Sequence, residues 1–131
     1  MTEGDANHWD DGVVLVVLAH PDDPEFFCGG TIARWVANGR EVHYCLLTRG
    51  DKGSDDDLIP PEKLAEIRES EQRSAAAILG VQHVRFLNEA DGYLMPSLKL
   101  REDIVRVIRE VRPATVITCD PSRPIFTRTR P

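Results

Sequence analysis

The stretch of sequence that decides the fold is residues 13–24, VVLVVLAHPDDP. Its first six residues form an unbroken aliphatic run, which is typical of a β-strand that is covered on both faces in a parallel sheet. The polar residues that follow, from His20 to Asp23, therefore stand at the carboxyl end of a buried strand. Because open α/β sheets bind ligands at the carboxyl ends of their strands, this turn is the first candidate for a functional site.

The rest of the sequence alternates between strand and helix patterns. Strands are predicted at 42–48, 83–87 and 114–119, and helices at about 24–38, 62–79 and 98–111. Gly39 and Gly80 are expected to end the first two helices. Alternation of this kind predicts parallel strands joined by right-handed crossovers. The expected fold is therefore a Rossmann-like α/β domain, an open parallel sheet of four strands with helices on both faces.

The length and the charge of the chain limit the number of domains and the kinds of partner that it can have. The 131 residues are enough for one domain, with 22 acidic and 16 basic side chains and a formal net charge of −6. This acidic balance argues against nonspecific binding to nucleic acid or to anionic membranes. No apolar run approaches the ~20 residues of a membrane span, and the acidic residues 1–12 predict a flexible leader rather than a secretory signal. We therefore expect a cytoplasmic protein without a membrane span.

The cysteines and two irregular segments are predicted from their spacing and composition. Cys28, Cys45 and Cys119 are far apart and form no CxxC pair, so they are expected to be small buried hydrophobic residues. The polar stretch at 49–61, RGDKGSDDDLIPP, predicts the longest loop and a candidate lid, and residues 122–131 predict an irregular tail.

The turn after the first strand concentrates groups that bind metal ions. His20 supplies an imidazole and Asp23 a carboxylate, which suit Zn²⁺ or another divalent ion, and Asp22 is left as a proton acceptor. The simpler alternative is that one Asp caps the next helix, but capping accounts for neither the histidine nor the second acid. The chain contains no GxGxxG after this strand, no P-loop and no GxSxG elbow, which disfavours nucleotide binding and serine hydrolysis.

Several motifs together resemble one family. They are AHPDDPEFFCGG at 19–30, TRGDKG at 48–53, IRESEQRSAAAILGV at 67–81, NEADGYL at 88–94 and TCDP at 118–121. In this order they resemble the PIG-L/LmbE-like zinc-dependent de-N-acetylases, which remove acetyl groups from N-acetylglucosaminyl compounds. The resemblance covers residues 13–121, which it identifies as the N-terminal part of such a deacetylase domain.

The resemblance implies roles for individual residues. His20 and Asp23 would be two of three protein ligands to Zn²⁺, and Asp22 would be the general base toward the water that the metal activates. Arg68 and Asp91 match positions that contact sugar hydroxyls, and residues 49–53 match a loop beside that pocket. The implied partner is a small N-acetylated amino-sugar conjugate. For Arg68 the alternative is an ion pair with Glu71 on its own helix.

The match to the family breaks after Asp120 and Pro121. Family members continue into a loop that reads like Tyr-Gly-His-Pro-Asp-His and supplies the third zinc ligand, whereas this chain continues SRPIFTRTRP. Two ligands are expected to bind a metal more weakly than three, with Asp120 as the candidate to approach it. Two hypotheses therefore stand: a metal-dependent deacetylase, or a catalytically inactive, truncated domain that binds metal or sugar or serves in assembly.

Two expectations concern the rest of the sheet. A sheet that ends at a fourth strand exposes an edge and apolar helix surface, which favours homo-oligomers. His43 and His83 are predicted at the wrong ends of their strands for the site after Leu18, so they are expected to be structural or solvated.

Overall fold

The computed structural model describes residues 11–52 and 57–122. Its elements are β1 (Val14–Leu18), α1 (Asp23–Ala37), β2 (Val42–Thr48), α2 (Pro61–Leu79), β3 (His83–Glu89), α3 (Leu98–Val111) and β4 (Thr115–Ile117). The predicted alternation is confirmed, although β3 is two residues longer and β4 three residues shorter than the patterns indicate. Residues 1–10 of the predicted leader, 53–56 of the predicted lid and 123–131 of the predicted tail lie outside the described residues.

The four strands form one parallel sheet in the order β3-β2-β1-β4. β1 pairs along its whole length with β2 and along its first three residues with β4. All five residues of β1 are buried, which explains why the run is aliphatic throughout. Because β2 and β3 lie on one side of β1 and β4 on the other, the strand order reverses at β1. A reversal of this kind opens a crevice at the carboxyl ends of the strands, where ligands bind.

Helices cover both faces of the sheet, as the Rossmann-like prediction requires. On one face Ile32 of α1 and Ala76 of α2 pack in the same cluster as Val16. On the other face Val107 of α3 packs in the same cluster as Val17. None of the helices in the described ranges is long and apolar enough to cross a membrane.

The three cysteines are part of this packing. Cys45 is buried between β1 and α3, while Cys28 and Cys119 are half-buried against the cluster on the opposite face. Burial raises the pKa of the Cys45 thiol to about 11 and also raises the pKa of Cys28. Thiols with raised pKa values are protonated at neutral pH and are poor nucleophiles.

The second turn of α1 differs from the predicted regular helix. Cys28 has φ −146° and ψ 23°, which interrupts the helix immediately before Gly29 and Gly30. Two adjacent glycines tolerate a kink because they have no Cβ. Phe27, immediately before the kink, is 51% exposed.

A buried amide on α2 holds the turn after β1. Gln72 is fully buried, and its Oε1 accepts a hydrogen bond of 2.6 Å from the backbone N–H of Asp22. Its Nε2 donates to Oε1 of Glu25 at 2.8 Å. The turn needs this support because Asp22 has a φ of 74°, a left-handed conformation that costs a non-glycine residue about 1 kcal/mol or more. Gln72 therefore links the packing of α2 to the backbone of the turn.

Replacing this amide tests the link. Gln72→Ala removes both hydrogen bonds and leaves the amide of Asp22 and an oxygen of Glu25 without those partners. We expect the free energy of unfolding, measured by urea denaturation, to fall by about 2 kcal/mol. The same substitution at the exposed Gln82 is the matched control and should change it by less than about 0.5 kcal/mol. Equal losses in the two variants would contradict the assignment.

Candidate metal and catalytic site

Loops that follow three neighbouring strands bring the predicted site residues together. The turn with His20, Asp22 and Asp23 follows β1, the loop from Arg49 follows β2, and Asp91 follows β3 by two residues. Arg68 reaches the same place from α2. These five predicted residues therefore lie in one network of contacts at the carboxyl edge of the sheet.

His20 presents its two ring nitrogens to two different carboxylates. Nε2 lies 2.9 Å from Oδ1 of Asp91, and Nδ1 lies 3.5 Å from Oδ2 of Asp23. The backbone N–H of His20 also donates to Asp23 Oδ2 at 2.9 Å. Because a carboxylate only accepts, the 2.9 Å contact with Asp91 assigns a proton to Nε2, and a metal ion bound between His20 and Asp23 would take the lone pair of Nδ1.

The pair formed by His20 Nδ1 and Asp23 Oδ2 fits a zinc ion. Ligand atoms about 2.0–2.1 Å from a tetrahedral zinc lie roughly 3.4 Å from one another, close to the 3.5 Å between these two atoms. A carboxylate behind the second ring nitrogen, here Asp91, is the common way in which proteins orient a metal-binding histidine. The side chain of His20 is 42% exposed, so an ion reaches this pair from solvent.

Asp120 does not extend this pair. Its Oδ1 accepts hydrogen bonds from the hydroxyl of Ser122 at 2.6 Å and from the Ser122 backbone N–H at 2.8 Å. These two bonds hold the pKa of the exposed Asp120 carboxyl below its usual range. The carboxylate is therefore engaged in a local turn after β4, and the described contacts do not bring it to His20 or Asp23.

Asp22 is the most open acid of the turn. Its carboxylate is 72% exposed, and it lies 3.4 Å from a terminal nitrogen of Arg68. Asp22 occupies the N-cap position of α1, but its side chain makes no capping hydrogen bond, and the carboxylate of Asp23 bonds to His20 instead. The capping alternative therefore does not describe this turn, and Asp22 is accessible to a water molecule or a substrate.

Arg68 ties the loops after β1 and β2 together. Its guanidinium donates to the backbone carbonyls of Gly50 at 3.0 Å and Pro21 at 3.3 Å, rather than pairing with Glu71 as the alternative has it. Gly50 has a φ of 65°, and a Cβ at this position would lie 2.7 Å from Cζ of Arg68. A glycine is therefore required where the guanidinium crosses the loop.

A second cluster lies at the opposite edge of the sheet. One ligand atom from each of Glu41, His43 and His83 lies within 4.8 Å of the other two. His43 and His83 are at the amino ends of β2 and β3, where the sequence places them, but their proximity to Glu41 is not among the expectations. The signal that could have revealed it is that two neighbouring parallel strands both begin near a histidine, and the two residues pair in register.

Comparisons of sequence identify a family and several relatives. The profile of the GlcNAc-PI de-N-acetylase (PIG-L) family matches residues 15–127. Diacetylchitobiose deacetylase of Thermococcus kodakarensis is 39% identical over 111 residues, which cover 85% of this chain and 42% of that protein. A 1D-myo-inositol 2-acetamido-2-deoxy-alpha-D-glucopyranoside deacetylase of Thermobispora bispora is 36% identical over 135 residues, covering 82% and 44%. The chain thus spans less than half the length of these relatives.

Solved structures share the fold. N,N'-diacetylchitobiose deacetylase from Pyrococcus horikoshii superposes with a TM-score of 0.85 at 34% identity, covering 89% of this chain and 44% of that one. GalB, the 4-carboxy-2-hydroxymuconate hydratase of Pseudomonas putida, has a TM-score of 0.76 at 28% identity, covering 86% and 50%. Since the family profile spans well over half of its residues, the chain belongs to the PIG-L (GlcNAc-PI de-N-acetylase) family.

Proposed function

We propose that this chain carries the metal pair and the general base of a hydrolase that removes the acetyl group from an N-acetylglucosaminyl-type substrate. The observation that carries the proposal is the geometry of His20, whose Nδ1 lies 3.5 Å from Asp23 while Nε2 is bonded to Asp91. The open carboxylate of Asp22 stands in the same turn. The names of the relatives from Thermococcus and Thermobispora, both deacetylases of N-acetylated sugar compounds, support the reaction class.

His20 and Asp23 are the residues that would hold the metal, with Zn²⁺ as the first candidate. When bound, the ion would polarise the acetamide carbonyl and lower the pKa of the attacking water. Asp91 keeps the ring of His20 in one tautomer and one orientation, because its own carboxylate is almost buried and is also fixed by the backbone N–H of Lys52 at 3.2 Å.

Asp22 is proposed to move the proton. A general base must be within hydrogen-bond reach of the proton that it takes, and Asp22 precedes the ligand Asp23 directly while its carboxylate faces solvent. It takes a proton from the attacking water and returns one to the leaving nitrogen, so that the C–N bond breaks into acetate and a free amine. Arg68 orients the carboxylate but, at 3.4 Å and high exposure, binds it only weakly.

Arg68 and Asp91 are also proposed to contact sugar hydroxyls. Each oxygen of Asp91 accepts one described hydrogen bond, from His20 or from Lys52, and so keeps a lone pair for a hydroxyl. The guanidinium of Arg68 lies between the loops after β1 and β2, at the entrance to the turn. A sugar seated there would have its acetamide beside Asp22.

The role of Asp22 is tested by Asp22→Asn. Asparagine has the same shape and adopts left-handed conformations as readily, so the turn and the bound zinc should be retained. Release of free amine from N,N'-diacetylchitobiose should fall by about 10²- to 10⁴-fold. Asp11→Asn, at the opposite edge of the sheet, is the control and should not change the rate.

Three outcomes separate the hypotheses. Full turnover by Asp22→Asn would exclude Asp22 as the base. A wild-type protein that binds zinc and N-acetylglucosamine but releases no amine would instead favour the binding module without catalysis. Amine release that requires both zinc and Asp22 supports the deacetylase.

The metal pair is tested by His20→Ala and Asp91→Asn. Loss of the imidazole should lower the number of zinc ions bound per chain by one, as measured by metal analysis after equilibrium dialysis. Asp91→Asn leaves His20 in place but weakens the acceptor behind it, so zinc affinity at this site should fall about 10- to 100-fold. An unchanged stoichiometry in His20→Ala would contradict the proposed ligand set.

A further inference from the structure

The amino edge of the sheet holds two imidazoles and a carboxylate that the reaction does not use. His43 and His83 are Cα partners in the pairing of β2 with β3. Their rings stack with centroids 4.1 Å apart and planes 6° from parallel. His43 also lies opposite Leu15 of β1, five residues before His20, which at ~3.3 Å per residue places the two histidines about 16 Å apart along the strand direction. This cluster is therefore separate from the site at the carboxyl edge.

One carboxylate oxygen serves both rings. Oε1 of Glu41 lies 2.5 Å from Nε2 of His43 and 3.6 Å from Nε2 of His83. The hydrogen bond with His43 holds the pKa of the Glu41 carboxyl below its usual range, so the carboxylate is anionic at neutral pH. The same ring nitrogen of each histidine thus faces one negatively charged oxygen, and the three ligand atoms lie within 4.8 Å of one another.

The two histidines differ in how firmly they are held. The side chain of His43 is 10% exposed, and its Nδ1 is enclosed and has no hydrogen-bond partner among the described residues. Nε2 is therefore the atom through which His43 acts. His83 and Glu41 are about half exposed, at 49% and 56%, and both line a cavity of about 240 Å³ that opens to solvent. The cluster therefore combines one potential metal ligand that is held in place, His43, with two that can move, Glu41 and His83.

We propose that Glu41, His43 and His83 form a second metal site, which takes Zn²⁺ or a similar borderline divalent cation. Two imidazole nitrogens and one carboxylate oxygen are a donor set that such ions prefer, whereas Mg²⁺ and Ca²⁺ prefer oxygen alone. Three protein ligands leave a fourth position, which the adjacent cavity can fill with water.

Binding requires Glu41 and the ring of His83 to move, because the stacked rings hold their Nε2 lone pairs parallel. Ligands of tetrahedral zinc lie roughly 3.4 Å apart, so the oxygen of Glu41 must move away from His43 by about 1 Å. Glu41 precedes β2 and its side chain is 56% exposed, so it has room to rotate once its hydrogen bond with His43 breaks. His83, at the start of the edge strand β3, can turn its ring toward the ion while His43 stays in place.

An ion bound at this site would stabilise the edge of the sheet. The ligands come from β2, from the residue immediately before it and from β3, so a bound ion cross-links two strands that are joined in the chain only through α2. An ion that binds the folded state alone stabilises it. The cation at this edge is therefore a structural one, remote from the proposed reaction.

Zinc stoichiometry distinguishes the two sites. Untagged full-length protein is freed of metal and dialysed against Zn²⁺, with Mg²⁺ in a parallel sample. We expect two zinc ions per chain in wild type, one in His20→Ala, one in His83→Gln and none in the double variant. Glu41→Gln serves as a second, surface substitution that should lower the affinity of the amino-edge site at least tenfold. Gln82→Ala, which alters the same cavity without removing a ligand, is the control and should keep two ions.

Each result has a separate meaning. The amino-edge site is wrong if the His20→Ala protein binds no zinc. It is also wrong if adding His83→Gln or Glu41→Gln to His20→Ala leaves zinc binding unchanged. Neither result depends on whether the deacetylase proposal holds. If the single substitution His83→Gln abolishes all zinc binding, the amino-edge site is supported and the proposed zinc site of His20 with Asp23 is wrong. Added zinc should also raise the melting temperature of His20→Ala and not that of the double variant, and circular dichroism checks that each variant is folded.

Discussion

Every residue of β1 is buried between α1 and α2 on one face and α3 on the other, and this burial fixes the position of everything that follows the strand. A slip of one residue against β2 or β4 would exchange the two faces of β1 and break both packing clusters. The end of the strand is therefore fixed relative to its neighbours. His20, two residues beyond Leu18, emerges at a defined point of the edge, and that point adjoins the place where the strand order reverses.

The turn that begins there is held under strain by the neighbouring helix. Arg68 and Gln72 are four residues apart on α2 and so share one face of it. Arg68 bonds to the carbonyl of Pro21 and Gln72 accepts from the amide of Asp22, which together hold the left-handed conformation of Asp22. Each hydrogen bond contributes about 1 kcal/mol, enough to offset a conformational cost of that size. The result is a carboxylate that faces solvent on a backbone that is fixed.

Much of this could be predicted from the sequence because it follows from local patterns. The buried run before His20, the glycines that end α1 and α2, and the rule that parallel strands gather their carboxyl ends were sufficient to predict the fold and to indicate the edge of the sheet at which the candidate residues meet. The contact of Asp91 with His20 spans 71 positions of the chain, and its distance and the ring nitrogen that it engages depend on the loop after β3. The interruption of α1 at Cys28 and the crossing of Gly50 by Arg68 likewise depend on tertiary packing, for which a single sequence holds no direct signal.

The two edges of one parallel sheet suit different chemistry for a physical reason. At the carboxyl edge the candidate groups stand on turns with prolines and left-handed residues, so that Asp22 projects into solvent, where the proposed proton transfer would not disturb a strand. At the amino edge His43 belongs to a strand, and its neighbours on both sides fix its ring in the sheet. A group held in this way would bind an ion firmly but lies too deep to receive a substrate, since only one tenth of its side chain is exposed. The same register that aligns the strands thus separates the edge proposed to carry the reaction from the edge proposed to hold a structural ion.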